Sequence, residues 1–422
     1  MTIDKINTQH SLTKEQKQAI GLLSIGTFLE YFDIMLYVHM AILLNELFFP
    51  KYDPHVASLL AAFAFCSTYL MRPIGAFIFG YIGDNIGRKT VVVITTFMMA
   101  FSSIVMFFLP TYAQIGITAS IIVTLCRMFQ GMSSMGEMTG ATLYLTELIQ
   151  EPKNYAAVAC VKAMANIGTF VALLVGVFTI KYGLNWRFAF LFGATIAIVG
   201  TIARSTLRET ADFVDAKKRV SLKTSDMQSK PINKKVALAY FLMEAGWPIW
   251  VYVTYIHYGG VLKNDFNYTA IEVLQHNLYI AAWGVVVATT LVFLATRINP
   301  LKIMRIRAVI FVAFLGVFIL NLENSQTLLN ITLLQIFIKT FNPVTMPGDA
   351  IIFKYFPILK RFFATSMLYA LSRLFMYITT AFGTVYLTKY FGTYGLLVLI
   401  APVMIGYFYG LNLFRRLEEK EA

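Results

Sequence analysis

Apolar residues in this chain come in about twelve runs, each long enough to cross a lipid bilayer as a helix: near 19–48, 56–82, 90–109, 114–149, 155–181, 186–207, 235–262, 269–296, 303–321, 326–349, 360–389 and 394–414. Inside hydrocarbon there is no water for a bare N–H or C=O, so each run must satisfy its own backbone by coiling into a helix. Of the 422 residues 58% are hydrophobic and 14% charged, more apolar surface than a soluble domain of this length can use. These runs predict an all-α membrane protein of twelve transmembrane helices, with the lipid bilayer as its first partner.

The longest connection, 208–234, divides the runs six and six and carries Lys217, Lys218, Arg219, Lys223, Lys230 and Lys234. It reads as a solvated basic linker against the membrane surface, between a six-helix bundle at 19–207 and a second at 235–414. Residues 1–18 and 415–422 are left as polar tails. The first 18 residues hold no cleavable signal, so the first span is expected to be its own insertion signal. The loops on the side of the tails hold most of the lysines and arginines, among them Arg88, Lys89, Arg297, Arg305, Lys354 and Arg361; the other side offers Lys51, Lys181, Arg187, Lys263 and Lys389. The positive-inside rule then puts both termini in the cytoplasm. A formal charge of +13 could suggest nucleic acid as a partner, but charge spread through short loops between apolar runs is a topology signal, and that class is set aside. Cys66, Cys126 and Cys160 fall within apolar runs and read as packing residues.

Charged residues inside the spans carry the functional signal. From Arg127, steps of three and four reach Gln130, Ser134, Glu137, Ala141 and Tyr144, a polar stripe on one face of the fourth span. Gly131, Gly136 and Gly140 offer surfaces on which a neighbouring helix can lie close. The stripe reads as a lined pathway, against the plainer alternative of an ion pair holding helices together. In the first span Glu30, Asp33 and Tyr37 share a face, and two carboxylates at membrane depth suit a proton carrier. The plainer alternative is that one of them only pairs with Arg127. Further ions stand at Arg72, Lys162, Glu244, Lys339, Asp349 and Arg373, and Arg72 or Lys339 could lie near an interface and snorkel.

Buried cations in both halves suit a solute with a carboxylate, and Arg373, followed by Tyr377 on the same face, is the expected contact, with Lys162 as the alternative. The alternative role of Arg373 is a structural tie to Glu244 or Asp349. Trp247, Trp250, Tyr252, Tyr255 and Tyr258 could instead box a quaternary ammonium. His39, His257 and His276 lack metal-ligand spacing, and no nucleophile elbow or phosphate loop is present, so neither an enzyme nor a cofactor is expected. The energy source would be a proton gradient.

Between the second and third spans stands Gly80-Tyr-Ile-Gly83-Asp84-Asn85-Ile-Gly87-Arg88-Lys89. It resembles the loop signature of the major facilitator superfamily, Gly-x-x-x-Asp-Arg-x-Gly-Arg-Lys. Asp84 is placed to close one helix and cap another, with Arg88 and Lys89 anchoring the turn. Glu30-Tyr-Phe-Asp33, Arg72-Pro73-Ile-Gly75, Arg127-x-x-Gln130-Gly131 with Gly136-Glu137, Trp186-Arg187-x-x-Phe190, Leu207-Arg208-Glu209-Thr210, Phe356-Pro357-x-x-x-Arg361 and Ser366-x-x-Tyr369 look like the metabolite:H⁺ symporters of that superfamily.

The resemblance implies two six-helix bundles and symport of protons with a small organic solute across a bacterial inner membrane. The solute would be a proline/betaine-like zwitterion first, a mono- or dicarboxylate second. It also implies Asp33 and Arg127 as the proton-coupling pair, Glu30 and Glu137 near the solute with Tyr37 and Gln130 on the same stripes, and Gly80, Asp84, Gly87, Arg88 and Lys89 as a gate. Asn85 stands where the family usually has Arg, and Lys354 where an acid is common. The other readings are an exporter of the same fold and a non-transporting membrane sensor.

Overall fold

The computed structural model describes residues 11–49, 68–222, 231–324 and 327–421. Among the described residues every regular element is helical. The first half contains α1 (Lys14–His39), α2 (Ala41–Phe48), α3 (Arg72–Asn85), α4 (Arg88–Phe108), α5 (Ile117–Ser134), α6 (Gly140–Leu148), α7 (Lys153–Tyr182) and α8 (Arg187–Ser205). The linker contributes α9 (Ala211–Leu222). The second half has α10 (Lys234–Glu244), α11 (Gly246–Val251), α12 (Tyr258–Asp265), α13 (Ala270–Ala295), α14 (Pro300–Asn324), α15 (Leu328–Phe341), α16 (Asp349–Lys354), α17 (Ile358–Phe391) and α18 (Gly395–Glu421). Among the described residues eight helices are long and apolar enough to cross a membrane, and α15 is a shorter apolar one.

Local chemistry sets many of the ends. Thr13 and Gln16 form a capping box at the start of α1, as Thr269 and Glu272 do for α13. Gly183 takes the left-handed conformation that ends α7.

Several expected spans are redrawn. The run 56–82 falls largely on residues outside the described set, as do Lys51, Cys66, Lys223 and Lys230. The first run breaks at Met40, between α1 and α2. The fourth is one apolar path from α5 to α6 through a π-helical turn, Met135–Thr139. The seventh passes from α11 to α12 through another, Tyr252–His257. The tenth does not reach 349: α15 ends at Phe341, and Asn342 to Gly348 run without helix before α16. Pro343 and Pro347 explain this, because neither can donate a helical hydrogen bond. The linker is not merely solvated chain, since α9 occupies 211–222.

The halves meet along two seams, α7 against α13 and α3 against α17. On the second, a Cβ at Gly80 would stand 2.7 Å from the Cα of Phe363. Within the first half α5 is in backbone contact with α3 and the residues just before it: a Cβ on Gly75 would overlap the backbone of Met132, and one on Gly131 would overlap Thr68 O.

Candidate functional site

A cavity of about 170 Å³ lies between the halves, room for a solute of amino-acid size rather than a single water. Its walls bring together Tyr31 and Tyr69 from the first half, Lys162 from α7, Glu244 and Trp247 from the broken seventh helix, Lys339 from α15, Thr345 from the unwound stretch, and Arg373 and Tyr377 from α17. The non-helical residues 342–348 are thus not a surface loop. They take part in the wall, where irregular backbone at membrane depth is tolerated.

Two ion pairs stand at this wall. Lys162 Nζ is 2.5 Å from Asp349 Oδ1, an ion pair that crosses between the halves. Arg373 Nη2 is 2.7 Å from Glu244 Oε2. Thr345 ties the pairs together: its hydroxyl donates to Glu244 Oε1 at 2.8 Å and lies 3.5 Å from Lys162 Nζ. The guanidinium of Arg373 sits over Trp247, 4.2 Å from the ring centre, and over Tyr369 at 4.6 Å. The foreseen tie of Arg373 to Glu244 is present, and Arg373 also lines the cavity. Its Nε and Nη1 are buried without a partner.

The aromatic box for a quaternary ammonium is not formed. The Trp247 face is taken by Arg373, and Lys339 stands 5.4 Å from the centre of Tyr255. Trp250 is buried away from the cavity and donates to Pro343 O at 3.0 Å.

The polar stripes of the first half lie behind the wall. Glu30, Asp33, Tyr37, Arg127, Gln130 and Glu137 are buried but do not line the cavity. Glu137 is held by Arg204, Nη1 to Oε2 at 2.5 Å, with Thr95 and Thr96 donating to its other oxygen at 2.9 and 2.6 Å. Arg204 also donates to Leu22 O and Leu23 O, which leaves it no freedom to move. Sequence reasoning passed over Arg204, whose position at the end of a basic-flanked helix gave it the look of a surface residue.

Asp33 and Arg127 are not in contact. Asp33 accepts from Ser103 Oγ at 2.7 Å, while Arg127 donates to Gln130 at 2.9 Å and stacks 4.2 Å over Tyr37. Each keeps unused capacity: Asp33 Oδ1, and Arg127 Nε and Nη2, are buried without partners among the described residues. Glu30 Oε2 is likewise unpartnered. Arg72, expected near an interface, is buried and sits 5.0 Å over Tyr69.

The face that carries both ends of the described chain is closed. Asp84 accepts the N–H groups of Phe362 and Phe363 at 3.1 and 2.8 Å, joining α3 to the first turns of α17. Arg88 grips Glu147 through two nitrogens at 3.2 and 3.1 Å, and donates across to Ile358 O at 2.7 Å. Arg361 reaches the same carboxylate at 3.3 Å, and Thr210 Oγ1 donates to it at 2.8 Å. Glu209 caps α4 by accepting from the N–H groups of Arg88 and Lys89 at 3.0 and 3.2 Å. Gly87, at φ 153°, is where the Glu209 carboxylate presses in, so a side chain there is excluded twice. Asn85, in the position of the usual Arg, donates to Tyr81 O, and its own carbonyl accepts from Lys217.

Lys354 bridges Glu151 of the first half to Glu418 and Glu421 of α18. Burial works against its charge, but the hydrogen bond to Glu418 and the nearby carboxylates outweigh this and hold its pKa above the ordinary lysine range.

The fold is shared with solved transporters. The fold matches that of the major facilitator proton:xylose symporter XylE, with a TM-score of 0.77 at 12% identity over 93% of this chain and 94% of that one. It also matches the human organic anion transporter MFSD10, with a TM-score of 0.71 at 14% identity over 94% and 100%. In sequence the chain is 32% identical to the inner membrane metabolite transport protein YhjE of Escherichia coli (strain K12), over 60% of each chain. It is 33% identical to the proline/betaine transporter of Salmonella typhimurium, over 47% of this chain and 41% of that one. It therefore spans between two fifths and three fifths of the length of these relatives. The profile of the sugar (and other) transporter family matches residues 20–246. That match covers more than half of the sequence and places this chain in the sugar (and other) transporter family, with a fold like that of solved major facilitator transporters.

Proposed function

We propose that this chain is a twelve-span secondary transporter of the bacterial inner membrane, importing a small organic carboxylate together with protons by alternating access, with both termini in the cytoplasm. The units would be the tails 1–18 and 415–422, the bundles 19–207 and 235–414, and the linker 208–234. What carries the reading is the charge around the cavity. Four cations, Lys162, Arg307, Lys339 and Arg373, face two carboxylates, Glu244 and Asp349, which leaves an excess of two positive charges (four minus two). Excess charge at membrane depth is costly until a counter-charge enters, so the site suits an anion. The occupied Trp247 and Tyr255 faces weigh against a betaine, although the names of several relatives keep a zwitterion as the second reading.

Asp33 and Arg127 are the proposed proton-coupling pair. Both are buried with unspent bonding capacity, a state that a proton or a small shift can resolve. Gly80, Asp84, Gly87, Arg88 and Lys89 belong to the proposed gate on the cytoplasmic face.

The test is uptake into proteoliposomes of labelled α-ketoglutarate, citrate, shikimate, proline and betaine under an imposed pH gradient. Accumulation of an acid, lost when an uncoupler collapses the gradient, is the expected result. Accumulation of proline or betaine alone would replace the carboxylate by a zwitterion. Acid uptake indifferent to the gradient would remove the proton.

A further inference from the structure

Of the four cations around the cavity, three are already committed. Lys162 is held by Asp349, and Arg373 by Glu244. The remaining N–H groups of Arg373 are buried, and its guanidinium lies over Trp247 and Tyr369. Arg307 is spent on the unwound stretch: its nitrogens donate to Thr340 O at 3.1 Å, Asn342 Oδ1 at 3.1 Å and Met346 O at 3.4 Å. Lys339 differs from all three. It lines the cavity half-buried, and among the described residues no carboxylate stands within ion-pair distance of it.

Its stem has a prepared seat. Cε lies where a Cβ of Gly284 would be, so α13 is open at that one position and the lysine chain fills the gap. The ammonium is then presented beside the Tyr255 ring, 5.4 Å from its centre, an arrangement that stabilises a cation without neutralising it. A long flexible side chain held by a glycine notch and an aromatic face, with its charge unanswered in a cavity, is a receptor for an anion.

We propose that Lys339, seated by Gly284, binds the acidic group of the transported solute and makes the site select net-negative organic acids over zwitterions. This rests on the carboxylate reading above and deepens it. Arg373 and Lys162 then shape the cavity through their ties to Glu244 and Asp349 rather than holding the solute first. Selection against zwitterions follows because Glu244, which lines the cavity, and Asp349, which holds Lys162, are both already paired, so an entering ammonium meets no unpaired carboxylate among the described lining residues.

The experiment uses the full chain, purified in detergent, with α-ketoglutarate and glycine betaine as probes, binding read by calorimetry and by the fluorescence of Trp247. Lys339→Gln should weaken α-ketoglutarate binding at least tenfold without lowering the melting temperature, because no described buried acid loses a partner and the excess charge is reduced. Gly284→Val should give a similar loss with the lysine still present, since the added side chain evicts its stem. Lys339→Arg should keep part of the affinity. Wild-type protein that binds α-ketoglutarate, with Lys339→Gln binding it within twofold of wild type, overturns the assignment of Lys339 and leaves the carboxylate reading standing. Wild-type protein that binds betaine and no acid overturns both. If Gly284→Val fails to fold, the comparison of Lys339→Gln with Lys339→Arg decides alone.

Discussion

Asp33 shows how far a single residue can be read. Its place three residues after Glu30 in an apolar run marks it as functional, but its partner cannot be read from the run: Ser103, 70 residues on, donates to it. Asp33→Asn keeps an oxygen for that hydroxyl and cannot carry a proton. The expected outcome is that proton-driven accumulation in proteoliposomes is abolished while solute exchange at equal pH persists; full accumulation would exclude Asp33 from coupling. Arg373 makes the opposite case. Removing it leaves Glu244 buried with only Thr345, and breaking one side of such a pair costs about 3–5 kcal/mol. Arg373→Gln should therefore lower the melting temperature sharply, and Arg373→Gln with Glu244→Gln should recover much of it. Unchanged melting of the single variant would show that the tie is not stabilising.

Among the elements, the helices themselves were legible because apolar length decides them, and their interruptions were less so. Pro343, Pro347 and Gly348 were visible signals that the tenth run could not remain helical to 349, yet overall hydrophobicity masked them. The partnership of Glu137 with Arg204 was hidden for another reason: the pair joins two helices 67 residues apart, and spacing along one helix says nothing about what faces it. Glycine positions fared better, since close approach needs a small residue whatever the neighbour is. Gly131 lies against the backbone at Thr68, which cannot give way as a side chain would. Gly131→Leu should push α3 from α5 and reduce the yield of folded, monodisperse protein severalfold in size-exclusion chromatography, whereas Gly21→Leu, where no neighbour stands in the way, should not.

At the scale of the whole molecule, the present arrangement closes the terminal face and leaves a cavity between the halves. Transport by rocking the halves requires those closing contacts to break together. Asp84→Ala removes the acceptor for two N–H groups of α17 and should raise the labelling of cysteines placed on the terminal side of the cavity, with solute affinity changed little. Unchanged labelling with lost affinity would mean that Asp84 is not part of the closure.

The carboxylate of Glu147 has a consequence beyond that closure. One negative charge lies between Arg88 and Arg361, from opposite halves, in a place where water hardly reaches. Take away either arginine and the other still has its acid; take away the acid and Arg361 confronts Arg88, which then keeps only the Asp84 carboxylate, 3.4 Å away. The same three residues are therefore a clasp with Glu147 in place and a compressed spring without it. Glu147→Gln should open the face further than either Arg88→Gln or Arg361→Gln alone, read as cysteine labelling on the terminal side of the cavity.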